Sequence, residues 1–528
     1  MYRSVLLMVG MAICAIALGS EDDLIQDQWR MAGHDAANSR SQPAEMRIGP
    51  HNVQSLAVKW VFTTGGDVSA TPTVFGDAVF FPDSAGNLFA VNKHTGQLIW
   101  SRKISDYDGV SGAISRNSPA IHGDNVIVGD IETGFGPHDG ANLISVDRKT
   151  GALRWITRVD DHVSAVITGS PVVFGHVVYV GVSSQEESLA LLDNPFPIPP
   201  FSIYHCCTFR GSVVALDANT GKLLWKTYDM PENGGQPGGY SGGAIWQPPA
   251  IDPIRGQLYV GTGNNFSAPD SVLQCQKQAI ADNNPDADCT APDDFFETAL
   301  ALDLADGHIR WSKRLQDYDV WTVPCIVSGF GTCPSPNGPD YDLGGSGPNI
   351  IHGLGLVGFG QKSGVYWGLN LDDGTVRWKT QVGPGGNTGG IQWGTATDGW
   401  RIYVADSNSN HMSYTLAPSG QTITWGAWSA LNAFTGRPIW QTADPTVDAI
   451  DMGSVSIANG VMYAGSQSGS MYALDARTGK ILWSFASGGT VLDGPSIVDG
   501  VVYWGSGYNN PGTPNNKLYA FTLPRRGK

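Results

Sequence analysis

The chain has 528 residues, of which 15% are charged and 68 are glycine. Length alone would divide it into three or four domains, but the glycine content and the absence of long 3.6-residue periodicity exclude a mainly helical architecture. A net charge of −16 excludes nucleic acid and an anionic membrane surface as partners and suits a soluble protein able to attract a basic one.

The N-terminus reads as a targeting segment. Arg3 precedes an apolar run from Val5 to Leu18, then small residues at Ala17-Leu18-Gly19-Ser20 and an acidic stretch. That is the layout of a signal peptide (residues 1–20) cleaved near residue 20, with a signal anchor as the alternative. Ile13 before Cys14 makes a poor lipidation context. No later segment is long and apolar enough to span a membrane, so the mature chain is expected to be secreted or periplasmic. Without Cys14 six cysteines remain. Local pairing gives Cys275–Cys289 and Cys325–Cys333 as loop staples, while the adjacent Cys206 and Cys207 bond to each other or pair elsewhere. The chain has no C-x-x-C-H haem motif.

From residue 57 onward one phrase recurs, A-[LVF]-[DN]-x-x-[TD]-G-x-x-x-W. It ends at Trp100, Trp155, Trp225, Trp311, Trp378, Trp440 and Trp483. An eighth copy is split between residues 518–524 and the segment ending at Trp60. Each copy is a strand, a glycine-bearing turn and a second strand closed by a large apolar plate. Further strand signals lie between copies, giving about four antiparallel strands per unit. Residues 21–528 are therefore predicted to form one all-β domain, an eight-bladed β-propeller closed by its own terminal strands.

A propeller serves binding and catalysis alike, so function is sought where blades depart from the phrase. The departures are Arg116-Asn117-Ser118-Pro119, Thr168-Gly169-Ser170-Pro171 leading to Ser183–Glu186, and Gly242–Trp246 leading to Gly263-Asn264. Further along are Gln361-Lys362-Ser363 and Gln392-Trp393-Gly394. With these insertions the phrase resembles the pyrroloquinoline quinone (PQQ) alcohol dehydrogenases over nearly the whole mature chain. G-G-I-Q-W-G-T-A-T-D-G at 389–399 and C-C-T-F-R-G at 206–211 look most like the polyvinyl alcohol dehydrogenase branch.

The resemblance implies Glu186, Asn264 and Asp319 as ligands of a calcium ion, a hard ion suited to carboxylate and amide oxygens; a lanthanide is the other option. It implies Trp246 as the ring lying against PQQ, and Arg116, Thr168, Ser183, Lys362 and Trp393 (with Gln392) as partners of its oxygens and three carboxylates. Cys206 and Cys207 would form a disulfide over the other quinone face. The bland readings are a surface carboxylate for Glu186, a turn for Asn264, core for Trp246 and Trp393, and a solvated charge for Lys362. The family's base follows a D-x-W-D pattern. In Asp317-Tyr318-Asp319-Val320-Trp321-Thr322 that places Thr322 at the base position, where a hydroxyl cannot serve. Asp319 is the expected base, Asp317 the second choice, and a weakened reaction the third. Ser69 stands where some relatives carry Glu.

The implied function is oxidation of an alcohol, such as a secondary hydroxyl of a polymer or another bulky substrate, with electrons leaving to a separate cytochrome c-like acceptor. The Pro-rich insertion Glu187–His205 accompanies this reading, as lid or surface contact. The rival readings are a non-catalytic propeller scaffold and an adhesion propeller keeping its cofactor as a relic. The sequon Asn265-Phe266-Ser267 is compatible with eukaryotic secretion.

Overall fold

A computed structural model describes residues 27–132, 140–193, 204–284, 287–327, 329–510 and 512–524. The signal segment lies outside them, as does most of the insertion at 187–205. Eight blades of four antiparallel strands follow one another along the chain, from Thr73–Phe75, Ala78–Pro82, Asn87–Asn92 and Leu98–Lys103 in blade 1 to the closing blade 8, and two of them gain a fifth strand, Ala165–Val166 in blade 3 and the parallel Ser41–Gln42 in blade 7. Blade 8 takes three strands from the C-terminal end, Ser496–Val498, Val501–Ser506 and Lys517–Thr522, and its outermost from the N-terminal end, Ala57–Thr63. Trp60 lies opposite Ala520 in that seam. Among the described residues no helix is long and apolar enough to cross a membrane.

Every position of the repeated phrase has a physical task. The leading Ala is the small residue across the ladder from the closing indole, as in Ala90 opposite Trp100 and Ala215 opposite Trp225. In blade 3 the Asp217 carboxylate accepts the N–H groups of Asn219 and Thr220 and the Thr220 hydroxyl, closing an Asx turn. The indole then reaches into the next blade. Trp100 Nε1 donates to the carbonyl of Arg148 at 2.9 Å and Trp225 Nε1 to that of Leu304 at 3.1 Å. The pattern runs round the ring until Trp483 donates to Leu56 and Trp60 to Lys93, each at 3.1 Å. The phrase's glycine lies under the indole of the preceding blade. A Cβ on Gly307 would stand 2.5 Å from Trp225, at a φ of +73°. Two constraints therefore fix that glycine, a left-handed backbone and a missing side chain.

The segment after residue 27 plugs the ring. Backbone amides of Ile121, Ile251, Ile350, Thr397 and Ile457 donate to the carbonyls of Arg30, Ala36, Ala37, Ser39 and Arg40. These donors lie on the innermost strands of blades 2, 4, 5, 6 and 7. The segment thus satisfies inner-strand edges that an open channel would leave unpaired and makes a floor across the axis.

Candidate active site

Above this floor lies an axial cavity of ≈430 Å³, counted to its open mouth. Its wall carries Arg116, Thr168, Ser69 and Trp393, and Arg40 belongs to its floor. Arg116 is sandwiched, its guanidinium 4.8 Å from the Trp393 ring and 5.5 Å from Tyr508, and it donates to the Tyr508 hydroxyl at 3.4 Å. Two donors on this wall are buried without a partner, Trp393 Nε1 and Thr168 Oγ1. A buried donor without an acceptor is costly. A guanidinium beside two such donors is the lining that a carboxylate-bearing ligand would satisfy. Trp393 meets Trp246 edge-on, with ring centroids 5.3 Å apart. Gly345 clears space beside Trp246, since a Cβ there would lie 2.9 Å from the indole.

Beside Trp246 is a knot of buried charge. Lys362 Nζ lies 5.7 Å from that ring, 2.9 Å from Asp340 Oδ1 and 2.7 Å from Asp342 Oδ2. Burial alone would lower the lysine's pKa, but Asp340, Asp342 and Glu187 outweigh it and raise it well above the usual value. Asp342 also accepts the Asn264 N–H at 2.9 Å. Both side-chain N–H groups of Asn264 go to backbone carbonyls, of Asn265 and Trp321. The amide oxygen is thus the atom left to ligate. Burial pushes Glu187 up to about 7 against the pull of Lys362, and raises Asp340 and Glu297 well above the carboxylate range. Five carboxyls, Glu187, Glu297, Asp319, Asp340 and Asp342, thus surround one ammonium.

Lys362, Asn264, Trp246, Trp393, Arg116 and Thr168 lie at these positions, while four other expected residues, Glu186, Asp317, Asp319 and Ser183, are committed elsewhere. Glu186 is fully buried yet turned away. It accepts the Tyr204 hydroxyl at 2.5 Å and the backbone N–H groups of Thr208 and Phe209 at 2.7 and 2.8 Å. It therefore anchors the loop carrying Cys206 and Cys207, and its neighbour Glu187 interacts with Lys362 and Asp342. Asp317 is exposed. Asp319 is buried within the knot with both oxygens turned to backbone, accepting the N–H groups of Asp340 and Tyr341 at 3.0 and 2.7 Å. Burial lifts it to about 7 despite those bonds. Thr322 is buried and donates to the Thr332 carbonyl. Ser183 is a buried strand residue paired with Val166 and is not on the cavity wall.

Asp340 and Asp342 were missed from sequence. Residues 321–327 and 329–337, stapled by Cys325–Cys333, loop out between Val320 and Gly338, whose N–H donates back to the Val320 carbonyl. The loop separates Trp321 from the acidic pair that a contiguous D-x-W-D search seeks. The signal was there as Gly338-Pro339-Asp340-Tyr341-Asp342, directly before blade 5. The other two disulfides are the local ones, Cys206–Cys207 and Cys275–Cys289. Cys206 and Trp246 both pack against the core cluster holding Cys207 and Ile245. The sequon residue Asn265 is buried.

Among the described residues no three Asp, Glu, His or Cys side chains already surround a metal position. The donor chemistry nevertheless fits a cation and a quinone. Oxygen donors of Glu187, Asn264, Asp340 and Asp342 carry excess negative charge beside Lys362, and unpartnered donors line the adjoining wall.

Residues 29–325 match the family described as "Glucose/ethanol/alcohol dehydrogenase, beta-propeller domain" of the PQQ type. Residues 425–522 match "Outer membrane protein assembly factor BamB". The chain is 30% identical to a polyvinylalcohol dehydrogenase of Pseudomonas sp, over 94% of this chain and 77% of that one. In fold it resembles the quinohemoprotein alcohol dehydrogenase of Comamonas testosteroni (TM-score 0.67, 19% identity, 95% of this chain and 81% of that one). It likewise resembles a europium-containing methanol dehydrogenase (TM-score 0.66, 18% identity, 95% and 99%). The chain belongs to the PQQ-type quinoprotein alcohol dehydrogenase family, whose members are oxidoreductases.

Proposed function

We propose that this protein oxidises the hydroxyl of a bulky or polymeric secondary alcohol, using PQQ and calcium in the axial cavity. The observation that carries this reading is the placement of Lys362 and its acidic partners against Trp246, next to a wall with unpartnered buried donors. When bound, the quinone supplies the two-electron acceptor that no side chain here provides.

The protein's own part is binding, orientation and proton transfer. Arg116, Thr168 and Trp393 hold carboxylates. Trp246 gives a flat apolar face that fixes the plane of the ring system. Glu187, Asn264 and Asp342 are the residues that would hold the cation. Asp340 is the base: one oxygen is bound to Lys362, and no hydrogen bond from the described residues reaches the other. That oxygen takes the hydroxyl proton of the alcohol. Lys362, kept charged by its carboxylates, stabilises negative charge developing on an acceptor oxygen beside Trp246. Asp319 holds the 340–341 backbone in place. Electrons leave to a separate cytochrome c-like protein, and the work is done in the periplasm or outside the cell.

The polymeric substrate rests on the polyvinylalcohol dehydrogenase relative. Incubation of purified protein, PQQ and Ca²⁺ with a reducible dye and a series of primary, secondary and polymeric alcohols tests the proposal. Reduction fastest with secondary or polymeric alcohols supports it, and no reduction with any alcohol refutes it. The match of residues 425–522 to an assembly factor covers the last two strands of blade 6, blade 7 and the C-terminal strands of blade 8, which carry none of the acidic knot. It is attributed to the shared repeat.

A further inference from the structure

Away from the axial cavity, one group of four buried oxygen atoms has no partner among the described residues. They are both carboxylate oxygens of Asp229, Oδ1 of Asp294 and Oδ1 of Asn265. None of these three residues exposes more than 1% of its surface. They come from the outer edge of blade 3, the loop before residue 298, and the top of blade 4.

Three contacts bring them together. Asn265 Nδ2 donates to Asp294 Oδ2 at 3.0 Å, which leaves the amide oxygen and Asp294 Oδ1 unused. The Phe295 N–H donates to the Asp229 carbonyl at 2.9 Å, setting residues 294 and 295 alongside Asp229. The Gly243 N–H donates to the Asn264 carbonyl at 2.9 Å, and the Asp229 carboxylate rests against the same glycine. A Cβ on Gly243 would lie 2.5 Å from Asp229 Oδ1, and one on Gly211 2.6 Å from Oδ2. Two glycines thus make room for this carboxylate.

The neighbouring cations are committed elsewhere. Arg210 binds the Met230 carbonyl and Glu232. Arg314 binds the Thr290 hydroxyl and the backbone carbonyl of Asp294. Neither guanidinium bonds one of the four oxygens. Arg210 and Arg314 act on Asp229 and Asp294 only through space, and two buried carboxylates with no directly bonded cation are expensive. The neutral Asn265 oxygen is equally orphaned, and its own amide N–H is bonded to Asp294. An oxygen-only set of two carboxylates and an amide, with charge −2, suits a hard divalent ion completed by backbone carbonyls or water.

We propose that Asp229, Asp294 and Asn265 Oδ1 form a second cation site, for a divalent ion of the calcium class, one residue along from Asn264. The ion ties the edge of blade 3 to blade 4 and to the insertion stapled by Cys275–Cys289. It thereby fixes the backbone from which Asn264 projects.

The test needs no PQQ. The purified mature protein is stripped with chelator, dialysed against Ca²⁺ and assayed for bound metal by mass spectrometry, with the unfolding midpoint recorded with and without Ca²⁺. A Glu187→Gln/Asp342→Asn variant removes donors of the axial site while Asp340 stays paired with Lys362, and it is expected to retain one Ca²⁺ per chain. In Asp294→Asn that ion, and the rise in midpoint it causes, should be lost. No retained metal in the axial double variant, or undiminished metal in Asp294→Asn, overturns the proposal. Should Asp294→Asn fail to fold, Asn265→Asp decides: an added carboxylate must tighten Ca²⁺ binding several-fold, and unchanged affinity overturns the site. None of these readouts depends on whether PQQ binds.

Discussion

Asp340→Asn and Asp319→Asn should separate chemistry from scaffold. Both are buried aspartates of one knot, and both face backbone or side-chain donors at hydrogen-bonding distance. In Asp340→Asn the buried ammonium of Lys362 keeps Asp342 at 2.7 Å, so the large penalty of an unpaired buried charge is avoided. Removing a positioned general base costs about 10²–10⁴ in rate. The variant should therefore fold with a near-native midpoint and lose at least about 100-fold in kcat, without a matching loss of PQQ affinity. In Asp319→Asn one of the two backbone N–H groups now held at 3.0 and 2.7 Å faces an amide NH₂ instead of an oxygen. An unsatisfied buried donor costs about 1–3 kcal/mol, so this variant should lose stability first and activity through displacement of Asp340. Dye-linked kinetics and urea unfolding on both proteins make the comparison. If Asp319→Asn kills turnover at unchanged stability while Asp340→Asn stays active, the assignment of roles is wrong.

Removing the orphaned donors in Trp393→Phe or Thr168→Val should each weaken PQQ binding about tenfold or more, the worth of a hydrogen bond to a charged group; titration of quinone absorbance measures it. Gly307→Ala and Gly256→Ala both introduce a side chain at positive φ, but only the former meets an indole, at 2.5 Å, whereas nothing lies within 4 Å of the latter. Urea unfolding should show Gly307→Ala worse by about 1–3 kcal/mol of overpacking, an excess that vanishes in a Trp225→Ala background. Asp130 is lifted by burial to about 7, so the folded protein holds a proton there that the unfolded chain releases near pH 4. Its contribution to stability must then fall as pH rises from about 4 to about 7. Asp130→Asn lacks that loss, and its stability relative to wild type should improve by a few kcal/mol across this window, as pH-resolved denaturation would show.

The ring was legible because each blade repeats a local signal whose parts share one physical cause. Ala90 leaves room for Trp100, the Asx turn reverses the strand, and a glycine seats the preceding indole. The split eighth copy gave the closure, later seen as Trp60 opposite Ala520. The site was only half legible. Residues on inter-blade loops, such as Arg116, Trp246 and Trp393, stand out because they break the repeat. Adjacent acids do not carry their direction in the sequence: whether Glu186 or Glu187 faces Lys362 depends on how a short helix, Glu186–Leu189, presents them. Asp340 was hidden by its stapled loop, since a register argument assumes contiguity that residues 321–327 and 329–337 remove. The unpaired oxygens of Asp229, Asp294 and Asn265 come from distant stretches of chain, so no local pattern announces them.

The account stands or falls on the axial cavity taking a quinone together with a cation. Titrating the purified mature chain with PQQ in the presence and absence of Ca²⁺, following quinone absorbance and tryptophan fluorescence, tests this most directly. The account predicts saturation at one PQQ per chain, quenching of Trp246 and Trp393, and binding weakened at least tenfold by chelation or by Lys362→Met. Absence of saturable PQQ binding with Ca²⁺ present would contradict it.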